Sequence, residues 1–169
     1  MKNRIFVFVL SAFFSLWLIG CGQKGAATPQ DTLVRFANAF NARDAEAIYN
    51  LTSSDVIKEA GRRLAQLKSS EEIYKKTFCE DNQIPIEKLD SLTTKEFFIA
   101  NMKLRFRNMD KQSEYAGKKI VVNFEIFFAS IGTEKAVIKA RDYSGAEVIL
   151  PFTKENGIWK LDFDPTTMR

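Results

Sequence analysis

The sequence predicts an α+β domain in which short helices precede a curved, four-stranded antiparallel sheet. Three observations carry that prediction. Helix-start signals recur at Thr28-Pro29-Gln30-Asp31, Thr52-Ser53-Ser54-Asp55 and Thr93-Thr94-Lys95-Glu96. After Gly117 the spacing of apolar residues changes from about 3.6 to 2, the period of a strand. Asn156-Gly157, between two alternating runs, is a tight-hairpin signal. Helices that must bury one face beside a sheet that must bury one face pack as two layers.

The elements follow in order. Thr28 is placed to cap the first helix, with Pro29 at the first helical position, where its missing N–H costs nothing, and an acid in the first turn. Leu33, Phe36, Ala37 and Phe40 recur at helical spacing. Asn41-Ala42-Arg43-Asp44 breaks the stripe, and Ala45, Ile48, Tyr49 and Leu51 resume it. Beyond the Thr52–Asp55 cap, Val56, Ala60, Leu64 and Leu67 line a third helix, which Gly61 weakens by about 1 kcal/mol relative to alanine. Ser70-Glu71-Glu72 opens a further turn or two through Ile73, Tyr74 and Phe78. Residues 80–92 read as loop, because Asn82-Gln83 and Ile84-Pro85 discourage helix. The Thr93–Glu96 capping box then opens a helix bearing Phe97, Phe98, Met102 and Leu104. Its tail, residues 102–107, also alternates like a strand; the cap and the lack of an intervening turn favour helix.

In the first strand Ile120, Val122, Phe124, Ile126 and Phe128 are expected on one face, with Asn123 and Glu125 on the other. Gly132 turns the chain into Thr133–Arg141, with Ala136, Ile138 and Ala140 inward. Ser144-Gly145 turns it again, and Ala146, Val148, Leu150 and Phe152 form the next inward row. Trp159, Leu161 and Phe163 follow the Asn156-Gly157 hairpin. Pro151 cannot donate to a ladder and is expected at an edge or bulge.

Composition narrows the function classes. The chain contains no histidine, which excludes histidine-based triads, histidine-ligated zinc and histidine acid/base chemistry. No cofactor motif is present. Of two cysteines, Cys79 has only Cys21 for company, and we read it as a small buried residue on a helix. The eleven phenylalanines after residue 20 are read chiefly as core. Arg62-Arg63, Lys75-Lys76, Lys103/Arg105/Arg107 and Lys118-Lys119 are read as solvated faces, with contact to anionic headgroups as the sharper alternative.

At the N-terminus, Lys2 and Arg4 precede an apolar run from Ile5 to Ile19, interrupted only by Ser11 and Ser15. That run is shorter than the about 20 residues a spanning helix needs and has the layout of an export signal. Leu18-Ile19-Gly20-Cys21 resembles the lipobox of bacterial lipoproteins. The resemblance implies cleavage before Cys21, acylation of its sulfur and a protein anchored to lipid without spanning the bilayer. The implied organisation is a signal peptide over residues 1–20, a lipidated tether over 21–27 and one α+β domain over 28–169. The implied location is the cell envelope: with Gly22 rather than Asp after the cysteine, the periplasmic side of the outer membrane in a Gram-negative cell, or the outer face of the membrane in a Gram-positive one. Beyond residue 20 the chain carries 23 basic and 21 acidic residues, a balance of +2 that argues against nucleic acid as a partner.

The globular part resembles the nuclear transport factor 2-like superfamily. Phe36 to Asn41, Arg43-Asp44 and Ala45 to Leu51 running into Thr52-Ser53 carry the likeness at one end, and Glu155 to Leu161 carries it at the other. The resemblance implies a cone with a pocket between sheet and helices, for which Phe36, Phe40, Tyr49, Phe124, Phe128 and Trp159 are the candidate lining. Enzymes on that fold use pocket carboxylates, tyrosines or histidines, and no such motif is matched here. Glu125 with Tyr49 is the only acid and phenol we weigh for proton abstraction, and Glu125 falls on the polar face of its strand. The expected function is therefore non-catalytic binding or scaffolding at the membrane, with membrane lipid held through acylated Cys21 and a protein or a small apolar ligand as the further partner. The alternative is a carrier or sensor of a small apolar ligand.

Overall fold

The computed structural model describes residues 26–117, 120–142 and 145–167. The leader, Cys21, most of the tether, Lys118-Lys119 and Ser144 lie outside the described residues. Five helices, α1 (Pro29–Asn41), α2 (Ala45–Leu51), α3 (Ser54–Lys68), α4 (Glu72–Asn82) and α5 (Thr94–Ala116), precede four strands, β1 (Glu125–Ile131), β2 (Lys135–Arg141), β3 (Glu147–Glu155) and β4 (Ile158–Leu161). The sheet is antiparallel throughout, in the order β1-β2-β3-β4. The fold is α+β.

Side chains written into the sequence set most helix starts. Thr28 Oγ1 accepts the Asp31 amide, Asp44 accepts the Ala47 amide, Ser53 accepts the Val56 amide, and Thr93 with Glu96 forms the reciprocal box. Each supplies an acceptor for an amide that the helix leaves unpaired. Between α1 and α2, Arg43 adopts a left-handed backbone, φ 59°, which is costly for a residue with a Cβ. Its side chain holds the turn: Nη1 donates to the Phe40 carbonyl at 3.1 Å, Nη2 to Asp110 Oδ1 at 2.6 Å, and the guanidinium lies 5.4 Å from the Phe106 ring centre.

The tail of α5 is helical. Phe98, Met102, Phe106 and Met109 recur at helical spacing and are all buried, whereas Leu104 is only half-buried. Gly61 is a packing residue as well as a weak point. A Cβ there would meet Thr94 Oγ1 at 3.2 Å, so glycine lets α3 cross the start of α5 closely.

The structure corrects three expectations. The loop expected from residue 80 begins later. α4 continues to Asn82, and a short 3-10 turn occupies Ile86–Lys88, because Pro85 restricts only its immediate predecessor while Gln83 ends the helix in a left-handed conformation, φ 57°. The first strand begins at Glu125 rather than near Ile120, and a bulge between Ile126 and Phe128 breaks its alternation. Phe128 therefore leaves the row it was expected to share with Ile126. Pro151 sits in an inner strand, opposite Val137, yet the β3–β4 ladder ends at Phe152↔Leu161 and only the Asp162 amide reaches the Pro151 carbonyl, at 2.9 Å. A residue's N–H and C=O point to the same side of an antiparallel strand, so the amide that Pro151 lacks faces a stretch where β4 has already stopped.

The core lies between α1, α2 and the inner faces of β2 to β4. Ala136, Ile138, Ala140, Leu150, Phe152, Trp159 and Leu161 from the sheet meet Leu33, Phe36, Phe40, Ile48 and Leu51 from the helices. Phe163 follows β4 and meets Phe36 edge-on at 5.7 Å. Thr32 Oγ1 donates to the Trp159 carbonyl at 3.0 Å, which ties α1 to β4. Cys79 is buried in α4; burial first, then the Glu72 and Glu87 carboxylates, push its thiol above the ordinary value.

Candidate docking surface and cavity

The two edges of the sheet are treated differently by the chain. Along β4, the Trp159 amide donates to the Ala26 carbonyl at 3.0 Å and the Ser53 amide to the Leu161 carbonyl at 2.8 Å, so Ala26 and Thr52 bridge onto that edge. Along β1 no further strand of the described residues is paired. All seven residues of β1 are exposed.

The register says which side of the sheet each takes. Ile126, Ala129 and Ile131 lie opposite Ala140, Ile138 and Ala136, so they share the inner face. Those β2 partners are buried, whereas Ile126 and Ile131 remain 39% and 50% exposed, so helix cover gives out before β1. Phe128 and Ser130 lie opposite Lys139 and Val137 on the outer face. Phe127 occupies the bulge and is covered by Arg141, whose guanidinium carbon is 5.3 Å from the ring centre; Lys139 Nζ stands 5.5 Å from the Phe128 ring. These cation–π contacts shade the rings without burying them: Phe127 and Phe128 are 45% and 48% exposed. Beyond Lys139, Ile149 of β3 is 66% exposed. An apolar groove of about 250 Å³ runs beside the inner face, lined by Val34, Ala37, Val121 and Ile126 among others.

Asn41 fixes the start of this surface. From the end of α1 its Nδ2 donates to the Val122 carbonyl at 2.8 Å and its Oδ1 accepts the Val122 amide at 2.7 Å. One side chain thus takes the place of a strand partner, and Val122 is buried beside it.

A cavity of about 310 Å³ lies on the other side of this segment, between α1, α5 and residues 122–124. Phe36, Phe40 and Phe124 line it, with Phe36 and Phe124 stacked 6.2 Å apart. The other three candidate lining residues lie elsewhere. Tyr49 packs edge-on against Phe98 at 5.5 Å with Lys95 above its ring. Phe128 is on the outer sheet face, and Trp159 is buried in the core beneath Lys154. Sequence reasoning missed the polar lining: Asn101, Arg105, Asn108 and Gln112 of α5 face the cavity with Asp142 and Thr166. Their spacing of four, three and four residues was a legible polar stripe on a helix whose other face is apolar. Arg105 also lies over the Phe40 ring at 5.7 Å.

Three arginines of the basic clusters have partners within the fold. Arg62 pairs with Glu59, Arg63 with Asp164, and Arg107 donates to the Asp81 carbonyl. Glu125 is exposed on β1 opposite Arg141, away from Tyr49 and its neighbours on α5. Among the described residues no three cysteines or carboxylates gather as a metal site, and no helix is long and apolar enough to cross a membrane.

No model of a protein family, no curated protein and no solved structure matches the chain.

Proposed function

We propose that this chain is a lipid-anchored bacterial envelope protein whose globular domain works by docking through β1 rather than by turnover. The observation that carries the docking reading is the open edge: seven consecutive exposed residues, of which Ile126, Phe127, Phe128 and Ile131 are large and apolar. Edge strands invite pairing, and proteins commonly blunt them with lysine or proline. β1 has neither. Its large apolar side chains divide between the two faces of that edge, and clustered exposed apolar side chains mark an interaction site more often than an isolated one does.

The anchor rests on Leu18-Ile19-Gly20-Cys21 and the apolar run before it. In this reading a signal peptide ends at Gly20 and the acylated Cys21 holds the domain to the envelope through a short tether. The nuclear transport factor 2-like cone is part of the same reading, supported by the order of helices before a meander and by a cavity between α1, α5 and the strand side. A second reading, a carrier of a small apolar ligand, is favoured by that cavity: its size sits at the low end for small-molecule sites, and Asn101, Arg105 and Asn108 converge over Phe36, Phe40 and Phe124.

The test is metabolic labelling of the full chain, expressed with its own leader in a bacterium, using an alkyne analogue of palmitate. The wild-type chain takes up label and fractionates with membranes, and Cys21→Ala does neither. An unlabelled wild-type chain overturns the anchor. Native-size analysis of membrane extracts then compares wild type with the double variant Phe128→Lys, Ile149→Lys. Docking through the sheet requires that the wild type run in a larger assembly and the variant run alone.

A further inference from the structure

Resting on the second of those readings, we infer that the cavity between α1, α5 and residues 122–124 takes a small amphipathic carboxylate, its acid group on Arg105 and its apolar body on Phe124 and Leu104. The state of each lining group selects that chemistry.

The apolar part is fixed from behind. Phe36 and Phe40 are fully buried, so they back the cavity rather than meet its contents, whereas Phe124 and Leu104 are half-buried and present the apolar surface. Phe36 stacks on Phe124 at 6.2 Å and meets Phe40 edge-on at 5.6 Å, and Phe40 meets Phe106 of α5 edge-on at 5.2 Å. The two Asn41 bonds to Val122 hold the opposite wall. Rings locked in this way leave little rearrangement for a ligand to impose.

The polar part sorts by what each group already does. Asp142 Oδ1 accepts the Ala146 amide at 3.1 Å within the β2–β3 turn, and Thr166 Oγ1 donates to Asp164 Oδ1 at 2.7 Å. Asn101 Nδ2 donates to the Phe97 carbonyl at 2.8 Å. Asn108 and Gln112 are exposed on the same stripe of α5, about one and two turns beyond Arg105. The lining thus joins a guanidinium, held 5.7 Å from the Phe40 ring centre, to the amide donors of Asn108 and Gln112. A cationic ligand would meet Arg105. A wholly apolar one would strip water from the guanidinium and the amides without replacing those bonds, which is costly. A carboxylate replaces them, and the planar fork of an arginine matches it with two parallel hydrogen bonds. The volume of about 310 Å³ is the room of about ten waters at about 30 Å³ each, so the apolar body is about one ring or a short chain.

The test is equilibrium dialysis of the full chain in lipid nanodiscs, with empty discs subtracted, against 3-phenylpropionate and against 3-phenylpropanamide, a neutral molecule of the same shape. The result expected is that the wild type binds the acid at least about tenfold more tightly, because hydrogen bonds to a charged group contribute more than neutral ones. Arg105→Gln abolishes that preference and leaves the affinity for 3-phenylpropanamide unchanged, which shows that the cavity still forms. Arg105→Lys keeps the charge without the fork and retains part of the preference; should Arg105→Gln bind neither molecule, this variant decides, and its having no preference overturns the assignment. Equal binding of the two molecules by the wild type overturns the carboxylate while leaving a carrier of apolar molecules. A preference that survives Arg105→Gln overturns the site. Binding of neither by the wild type overturns this inference and the carrier reading together.

Discussion

Asn41→Ala is the substitution whose cost can be worked most directly from the geometry. The side chain makes two hydrogen bonds to Val122, at 2.8 Å and 2.7 Å, across 81 residues of sequence. Each neutral hydrogen bond contributes about 1 kcal/mol net, and a buried group left without a partner costs about 1–3 kcal/mol. Val122 is buried, and alanine leaves both its amide and its carbonyl without this partner. The expected loss is about 2–3 kcal/mol, or about 6–10 °C in Tm for a domain of this size. Denaturant unfolding checks it, with a lower midpoint and an unchanged slope. Asn123→Ala is the control: Asn123 is exposed and its side chain reaches only the neighbouring Phe124 amide, at 3.0 Å, so the change stays within about 0.5 kcal/mol. Asn41→Asp separates the two bonds. It keeps the acceptor for the Val122 amide but sets a carboxylate oxygen against the Val122 carbonyl, so at neutral pH it is no better than alanine. If Asn41→Ala costs less than about 0.5 kcal/mol, Asn41 does not hold the segment that leads into β1.

Gly61→Ala alone is expected to be near neutral, because the helix-propensity gain of about 1 kcal/mol is offset by the approach to Thr94 Oγ1 at 3.2 Å. Adding Thr94→Ala, which spares the cap at Thr93, releases that gain, and a double-mutant cycle by denaturant unfolding reads the coupling. Cys79 is expected to resist alkylation in the folded protein and to react readily once unfolded. Its thiol is raised by burial and by Glu72 and Glu87. The folded state therefore holds that proton more tightly, and the resulting stability is present below the ordinary thiol value and lost as the pH rises from there through the raised one. Cys79→Ala should flatten that alkaline decline; an unchanged decline places its cause elsewhere.

What was legible in the sequence was local. Caps at Thr28, Ser53 and Thr93 act over three residues and appear where their side-chain oxygens predict. The hairpin at Asn156-Gly157 has both residues at positive φ, 52° and 80°, which that dipeptide tolerates better than others. The inward row Ala136, Ile138 and Ala140 follows from alternation alone. Illegible features depended on distant partners. Nothing in residues 120–124 announces that Asn41 supplies Val122 with its hydrogen bonds, so alternation there reads as strand. Phe128 and Phe124 look equivalent by spacing, yet one lines a cavity and the other faces outward.

The bulge links these failures to the proposed interface. In an unbroken strand Phe128 would follow Ile126 onto the inner face, and Phe127 alone would point outward. One extra residue at Ile126/Phe128 puts both phenylalanines on the side of Lys139 and Arg141. The inner face loses a large side chain at the point where helix cover gives out, and the outer face gains a pair of half-shaded rings. Bulges at sheet edges re-aim side chains in this way and also disturb indiscriminate pairing by twisting the strand. A straight edge with the composition of residues 125–131 would be an aggregation hazard. A twisted one with cations over its rings stays available to a surface of matching twist.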